Sequence, residues 1–219
     1  MKFLKTNVNG CGYSKMSDET QPPGATGGED LSGLLQKDLS EQRVRHAAET
    51  DLIDRAYQKY IYRARPRKTG SGWLTSDFLK NVHRDMFGEI WDWAGKYRKE
   101  PRNIGIEWHK IPEQIGVLCG DFQYWDSSSK MSPSEIAARL QNHLTRIHPF
   151  SNGNGRHARL ITDVFFYSRR MKLPRWPQIH LLPQGDLIRA HYISAMKTAD
   201  NEDYGQLVAF IENCRGAQP

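Results

Sequence analysis

"SPSEIAARLQNHLTRIHPFSNGNGRHARLITDVFFYSRRM", residues 132–171, contains the features that decide the fold: two helical patterns joined by a glycine-rich turn. Ser132 suits a helix N-cap, Pro133 suits the first helical position, and Glu135 completes the signature of a helix start. The apolar residues that follow recur every three or four positions, so the first helix has one face toward a core. The second pattern is apolar on nearly all sides, which is typical of a helix in the middle of a bundle.

Further helical patterns flank this pair and predict an all-α domain. One predicted helix covers residues 40–64. The next, DFLKNVHRDMFG, is capped by Thr75 or Ser76 and ends at Gly88, and a short EIWDWAG helix follows it. The remaining predicted helices are IPEQIGVLCGDFQYW, GDLIRAHYISAMKTA and DYGQLVAFIENC. Residues 96–110 lose the helical period and mix Pro, Asn and Gly with aromatic and β-branched residues, which predicts a short β-hairpin flap.

The chain of 219 residues, 38% of them hydrophobic, is long enough for one domain with additional segments. Residues 1–29 are rich in Gly, Thr, Ser, Pro and Asp, and we predict a disordered tail there. Residues 30–72 are predicted to be an N-terminal helical extension and linker, and residues 73–215 the main domain.

Charge and cysteine content narrow the setting of the protein. The net charge is +6, but acidic residues are interleaved with the basic ones. No helix-turn-helix, zinc or RNA-binding sheet pattern accompanies the charge, so we do not expect a nucleic-acid partner. The three cysteines form no metal or disulfide pattern, and no apolar stretch reaches the length of a membrane span. These features predict a soluble protein of the reducing cytoplasm with no membrane attachment.

The turn between the two core helices has the composition of an anion-binding loop. The backbone N–H groups of Gly153, Asn154 and Gly155 precede a helix whose dipole is positive at that end. Arg156 and Arg159 are three residues apart, so both guanidinium groups lie on roughly one face of the helix. Two such groups can bind successive phosphates of one polyphosphate, which predicts a nucleoside triphosphate ligand.

His148 stands at the other end of the same loop. The ordinary pKa of an imidazole is about 6.5, so at neutral pH it can accept a proton from a hydroxyl group. A base beside a triphosphate site indicates group transfer from a nucleotide.

The segment HPFSNGNGRHAR, residues 148–159, resembles the H-P-F-x-[D/E]-G-N-G-R-x-x-R signature of the Fic (Fido) family. The likeness extends through LTSDFLKNVHRDMFGEIWDWAGKYR, RNIG and HKIP, and covers roughly residues 73–215. The full pattern is most similar to the "mobile mystery protein B" branch. The resemblance implies a helical Fic-type domain that transfers AMP from ATP, with Mg²⁺, to a Ser, Thr or Tyr hydroxyl of a target protein.

Roles for individual residues follow from this resemblance. It implies that His148 is the general base, that residues 153–155 form the anion site, that Arg156 clamps a phosphate and that Arg159 reaches the outer phosphate. It also implies that the flap binds a target segment by strand pairing. The flap residues expected to do so are Asn103, Ile104, Gly105 and Ile106.

Two positions differ from the family pattern or add to it. Asn152 stands where the family usually has an acidic residue that holds Mg²⁺, and its amide oxygen is a weaker, uncharged ligand. Glu49 lies on the helix predicted at residues 40–64, where relatives carry an inhibitory helix. It is therefore a candidate inhibitory residue that pairs with Arg159.

These observations leave three functions to compare. The first is a protein adenylyltransferase. The second is a transferase that uses another donor, such as UTP, or a different phosphate transfer. The third is a catalytically weakened module that binds a nucleotide or a protein because Asn152 replaces the acidic residue. Self-modification and a homodimer remain open.

Overall fold

The computed structural model describes residues 31–63, 71–128, 130–177 and 185–216, so the tail predicted at residues 1–29 lies outside the described residues. Seven α-helices and no β-strand are present within these ranges. They are α1 (Gln42–Tyr57), α2 (Ser76–Phe87), α3 (Ile111–Ser127), α4 (Pro133–Ile147), α5 (Asn154–Ser168), α6 (Leu187–Ala199) and α7 (Gly205–Arg215). The predicted all-α class is confirmed.

Local signals place the start of α4 as predicted. The Ser132 hydroxyl accepts a hydrogen bond from the Glu135 backbone N–H at 3.1 Å, and Pro133 occupies the first turn. The Glu135 side chain binds Arg139, one turn further on, instead of returning to the cap. The cap therefore satisfies one of the free N–H groups of the helix start, and α4 has a fixed first turn.

Helix α5 lies at the centre of the molecule. Most of its residues are buried, and Phe165 and Phe166 are fully so. Helix α4 packs along α5, and its apolar residues Leu140, Leu144 and Ile147 are buried, as the apolar period predicts. Because α5 is surrounded by other helices, the loop at its N-terminus is held by the core of the molecule.

The helix predicted over residues 40–64 forms as α1 followed by a π-helical turn, Gln58–Tyr62. It packs against α2 and buries Leu52, Ala56 and Ile61. Helix α2 begins after Thr75, whose hydroxyl accepts from the Phe78 backbone N–H at 3.1 Å. The N-terminal extension is thus packed onto the domain.

The short helix predicted at EIWDWAG, residues 89–95, is wrong, because this segment forms a series of turns. Two of its backbone groups bind the chain ahead of α1. The Leu35 N–H donates to the Ile90 carbonyl at 2.9 Å, and the Asp92 N–H donates to the Gly33 carbonyl at 2.9 Å. A helix needs the same groups for its own hydrogen bonds, so the contact and the helix exclude each other.

The β-hairpin predicted within residues 96–110 is also wrong, because residues 98–107 form an irregular loop. The Arg98 guanidinium fills the inside of this loop and donates to the carbonyls of Glu100 and Ile106. In a hairpin, backbone N–H groups of the paired strand would bind such carbonyls, and here the guanidinium takes that place. We call residues 98–107 the flap loop.

The described residues contain no helix that is both long enough and apolar enough to cross a membrane.

Candidate active site

His148 is the residue at which α4 ends. Its backbone lies in the left-handed region, with φ 52° and ψ 59°, and its N–H donates to the Leu144 carbonyl at 3.2 Å. Residues other than glycine adopt this conformation at an energetic cost, and such residues cluster at functional sites. The left-handed backbone turns the chain away from α4 and begins the loop that leads to α5.

The imidazole of His148 is buried, and neither ring nitrogen has a hydrogen-bond partner among the described residues. Burial lowers the pKa of His148 to about 4; the backbone of Thr145 opposes this shift, and the charges of Arg98 and Arg102 add to it. The ring is therefore neutral at pH 7 and carries a free lone pair. A buried polar group without a partner is costly, and a substrate hydroxyl is a partner that would satisfy it.

The turn after His148 is held by the side chain of Asn154. Its Oδ1 accepts from the Phe150 N–H at 2.9 Å, and its Nδ2 donates to the Phe150 carbonyl at 2.8 Å. Phe150 itself is fully buried in the core. The two hydrogen bonds close the turn at its base, so the Asn154 side chain is structural and only its backbone N–H is left for an anion.

At Gly153, both the backbone conformation and the lack of space for a Cβ atom require glycine. Its φ is +76°, and a Cβ placed on it would lie 2.6 Å from the Phe87 ring. The turn therefore rests directly on Phe87.

His83, on α2, holds the loop through a hydrogen bond. This role was not predicted from the sequence. Nδ1 of His83 accepts from the Gly95 N–H at 3.0 Å, so Nε2 carries the proton and donates to the Asn152 carbonyl at 3.0 Å. The ring stacks on Phe150 with centroids 3.7 Å apart. Burial, above all, holds the pKa of His83 well below its usual range, so this neutral tautomer persists.

A signal for His83 does exist in the sequence. It falls at helical spacing among the buried residues Leu79, Val82, Met86 and Phe87 of α2. A histidine on an apolar helix face must find hydrogen-bond partners inside the protein. What the pattern does not show is that one of those partners is the loop 69 residues further along the chain.

Asn152 was predicted to bind phosphate and, weakly, a metal. Its Oδ1 accepts from the N–H of the next residue, Gly153, at 2.7 Å. That bond occupies both the amide oxygen expected to ligate a cation and one of the N–H groups expected to bind an anion. An incoming nucleotide would have to compete with it.

Arg156 lies at the first turn of α5, and its partner corrects a prediction. Its Nη1 donates to Glu49 Oε2 at 2.5 Å. Glu49 was expected to pair with Arg159, and that pairing is wrong. The reason is geometric: Glu49 is fixed on α1 by a second bond, from Trp91 Nε1 to its Oε1 at 2.7 Å, and there the carboxylate faces Arg156.

Arg159 is buried one helical turn after Arg156, and its charge acts on the carboxyl group of Asp163. Asp163 accepts from the Tyr57 hydroxyl at 2.6 Å and from Trp176 Nε1 at 2.8 Å. The two motif arginines therefore have separate acidic neighbours. Helix α1 contributes to both, through Glu49 and Tyr57.

Arg98 ties the flap loop to the histidine loop. Its backbone N–H donates to the Pro149 carbonyl at 2.9 Å, and its Nε donates to the His148 carbonyl at 2.8 Å. Gly105 lies against His148, since a Cβ on Gly105, which has φ +97°, would be 2.5 Å from the His148 Cβ. The Ile106 N–H points at the Ile147 carbonyl at 3.5 Å. The flap loop therefore lies against His148, and it contacts the histidine loop without forming a strand.

The site thus combines a buried neutral imidazole, a loop and helix N-terminus suited to an anion, two arginines and a neighbouring loop. Fold and site define a helical domain in which a buried histidine and a helix N-terminus lie at the two ends of one loop. Residues 73–166 match the Fic/DOC family.

Known proteins agree with this assignment. The chain is 27% identical over 163 residues to the protein adenylyltransferase Fic of Culex quinquefasciatus. The match covers 73% of this chain and 31% of that protein. The N-terminal Fic domain of a cell filamentation protein of Bartonella quintana superposes with a TM-score of 0.61 at 16% identity, over 85% of this chain and 89% of that one.

A third similar structure is the BepC protein of Bartonella tribocorum, which was solved with bound AMPPNP. Its TM-score is 0.57 at 14% identity, and the match covers 80% of this chain and 87% of that one. At these identities the solved structures establish the shared fold. The chain spans about a third of the length of the curated relatives that it matches.

Proposed function

We propose that this chain is a protein adenylyltransferase, which transfers AMP from ATP to a Ser, Thr or Tyr hydroxyl of a target protein. The observation that carries the proposal is the buried His148 imidazole, which is neutral and has no partner at either nitrogen among the described residues. It stands at one end of the loop whose other end is the N-terminus of α5. The names of the similar proteins, adenylyltransferases and a Fic protein with bound AMPPNP, support the same activity.

The proposed reaction uses this arrangement directly. The target hydroxyl oxygen attacks the α-phosphorus of ATP in line with the bond to the β-phosphate, and that bond breaks to release pyrophosphate. One ring nitrogen of His148 takes the hydroxyl proton as the new phosphorus–oxygen bond forms. The backbone N–H groups of residues 154 and 155 and the two motif arginines balance the charge on the phosphates.

Magnesium enters the proposal as a cation that arrives with ATP. The protein offers one neutral oxygen for it, Asn152 Oδ1, and among the described residues no cluster of three or more His, Cys, Asp or Glu side chains is arranged to hold a metal. Such a donor set fits an ion held mostly by phosphate oxygens. When bound, the ion would neutralise phosphate charge, and Asn152 is the residue that would touch it.

The flap loop is the proposed contact for the target. Gly105 lies against His148, and Asn103, Ile104 and Ile106 belong to the same loop. A target segment held along these residues would bring its hydroxyl group toward the imidazole. Self-modification is the simplest form of this reaction to detect, because it needs no identified target.

The test uses ATP labelled at the α-phosphate and, separately, at the γ-phosphate. Transfer of AMP labels protein from the α-labelled nucleotide only, whether on this chain or on a target. The His148→Ala variant is expected to lose the label while it binds ATP with nearly wild-type affinity, because the imidazole acts on the hydroxyl and not on the phosphates. Full labelling by His148→Ala would contradict the role given to the histidine.

The two alternative functions have their own outcomes in this experiment. Label from UTP, GTP or CTP in place of ATP would favour a transferase with another donor. Measured ATP binding without any labelled product, with either Mg²⁺ or Mn²⁺, would favour a binding module in which Asn152 has removed metal-assisted transfer.

A further inference from the structure

We propose that Glu49 is a positioning residue for Arg156, which holds the guanidinium at the phosphate site, and that it is not an inhibitor of that site. The inference rests on the proposed function, since it takes the loop before α5 as the place where ATP binds. It reverses the sign of the effect that was expected for Glu49 from the sequence.

The first observation is the position of Arg156. Its guanidinium carbon lies 4.7 Å above the centre of the Phe87 ring, the same ring on which Gly153 rests. Arg156 and the anion loop therefore share one supporting side chain. A guanidinium in this place borders the loop where a phosphate would bind.

The second observation is that Arg156 uses only one of its donor nitrogens to bind Glu49. Only Nη1 binds the carboxylate, at 2.5 Å. The remaining N–H groups of Arg156 have no hydrogen-bond partner among the residues that the structure describes. One edge of the guanidinium is anchored while the rest stays available, which is the arrangement that a phosphate clamp needs.

The third observation is that Glu49 is itself immobilised. Its side chain is 4% exposed, and both carboxylate oxygens are used, one by Arg156 and the other by Trp91 Nε1 at 2.7 Å. Trp91 in turn stacks on Trp93, with ring centroids 5.0 Å apart. A carboxylate held at both oxygens cannot turn toward the phosphate site without leaving a buried N–H group unpaired.

The fourth observation concerns Arg159. An inhibitory carboxylate of the expected kind would occupy this arginine, and Glu49 does not contact it. Arg159 instead has Asp163 as its acidic neighbour. Glu49 therefore leaves the outer phosphate position open and acts on the first arginine only.

The experiment is a double-mutant cycle read out by equilibrium binding of ATP. Glu49→Gln keeps the size of the side chain and an oxygen for Trp91 but removes the charge that anchors Arg156. We expect Glu49→Gln and Arg156→Ala each to weaken ATP binding by about tenfold, the effect of losing one charged hydrogen bond. The double variant is expected to bind no more weakly than Arg156→Ala alone, because Glu49 acts through Arg156.

Two further variants accompany the cycle, one as a control for the loss of a charge and one as a second test of the proposal. Glu89→Gln removes the charge of an exposed glutamate whose partner, at 2.8 Å, is Arg55 and not an arginine of the motif, and it should leave ATP affinity unchanged. Trp91→Phe keeps Glu49 but removes the donor to its Oε1, and should weaken ATP binding by a smaller factor than Glu49→Gln. Trp91→Phe keeps the proposal testable even if Glu49→Gln does not fold.

Opposite results separate the two roles of Glu49. Unchanged or tighter ATP binding by Glu49→Gln or Trp91→Phe, faster transfer, or additive effects in the cycle would overturn positioning. Because the readout is nucleotide binding, the cycle still works if the wild-type protein transfers nothing. In that case the proposed function fails and the proposal on Glu49 is judged separately.

Discussion

At the scale of single residues, His148 shows how burial prepares a base. The imidazole gains no partner when it leaves water, and its protonated form loses hydration, so its pKa falls to about 4. A neutral ring then persists through the whole physiological range. The same burial has a thermodynamic cost that grows on acidification, because the unfolded chain binds a proton near pH 6.5 and the folded chain does not.

We expect the His148 imidazole to titrate about two pH units below an exposed histidine. A titration followed by NMR, with His148→Gln to assign the resonance, measures this midpoint. The free energy of unfolding of the wild type should also fall, relative to that of His148→Gln, as the pH is lowered from about 6.5 toward 4. A midpoint near 6.5 would show that the ring is solvated in solution.

Gly153 gives a second prediction, because it combines a φ of +76° with the Phe87 ring 2.6 Å from a Cβ position. Gly153→Ala should lower the free energy of unfolding by at least about 1 kcal/mol, from the left-handed backbone alone. Gly155→Ala is the matched control. A Cβ on Gly155 meets only Arg159 Nη1 at 3.6 Å, an ordinary contact within a helix, so this variant should be neutral or stabilising. Denaturant unfolding compares the two, and equal losses would contradict the account of the turn.

At the scale of elements, Arg98 determines the form of the flap loop. Its side chain reaches three backbone carbonyls, those of His148, Glu100 and Ile106, which lie on two different loops. A planar guanidinium can donate in several directions at once, whereas an ammonium group on a flexible chain cannot hold the same three acceptors. The flap loop and the histidine loop are therefore fastened together by one side chain.

Arg98→Lys keeps the charge and should release the flap loop. We expect faster hydrogen exchange for the backbone amides of residues 99–107, by about tenfold, since at least one charged hydrogen bond is lost. Lys99→Ala, at the exposed neighbouring position, is the control and should leave exchange unchanged. If Arg98→Lys retained full protection, Arg98 would not be what holds the loop.

At the scale of the whole molecule, helix α1 and the segment after α5 meet at Asp163. Tyr57 comes from α1, Trp176 from the segment after α5, and both donate to this one carboxyl group. Burial raises the pKa of Asp163 to about 7, although these donors and Arg159 oppose the shift. The molecule therefore contains an acid that favours its protonated form when folded.

The sign of the resulting pH dependence is fixed. Between about pH 4 and pH 7 the folded state holds a proton on Asp163 that the unfolded state has lost, so this group makes the protein less stable as the pH rises. Relative to the wild type, Asp163→Asn should therefore gain up to about 1.4 kcal/mol of stability per pH unit across this range. Denaturant unfolding at several pH values measures the difference, with Asp54→Asn, exposed on α1, as the control. A difference that does not change with pH would contradict the raised pKa.

The sequence by itself determined the features that depend on neighbours along the chain. The Ser132 cap, the apolar period of α4 and the buried character of α5 all follow from residues a few positions apart. Capping and helical periodicity are local effects, so they can be predicted without knowing the fold.

Only the tertiary structure decided which distant groups meet. Glu49 and Arg156 are separated by 107 residues, and His83 and Asn152 by 69. The sequence predicted an acidic partner for an arginine of the motif but chose Arg159, and it predicted strands where Arg98 takes the carbonyls that strands need. Such pairings depend on the distances and burial that arise when α1, α2 and α5 pack together, and no local pattern of residues contains that information.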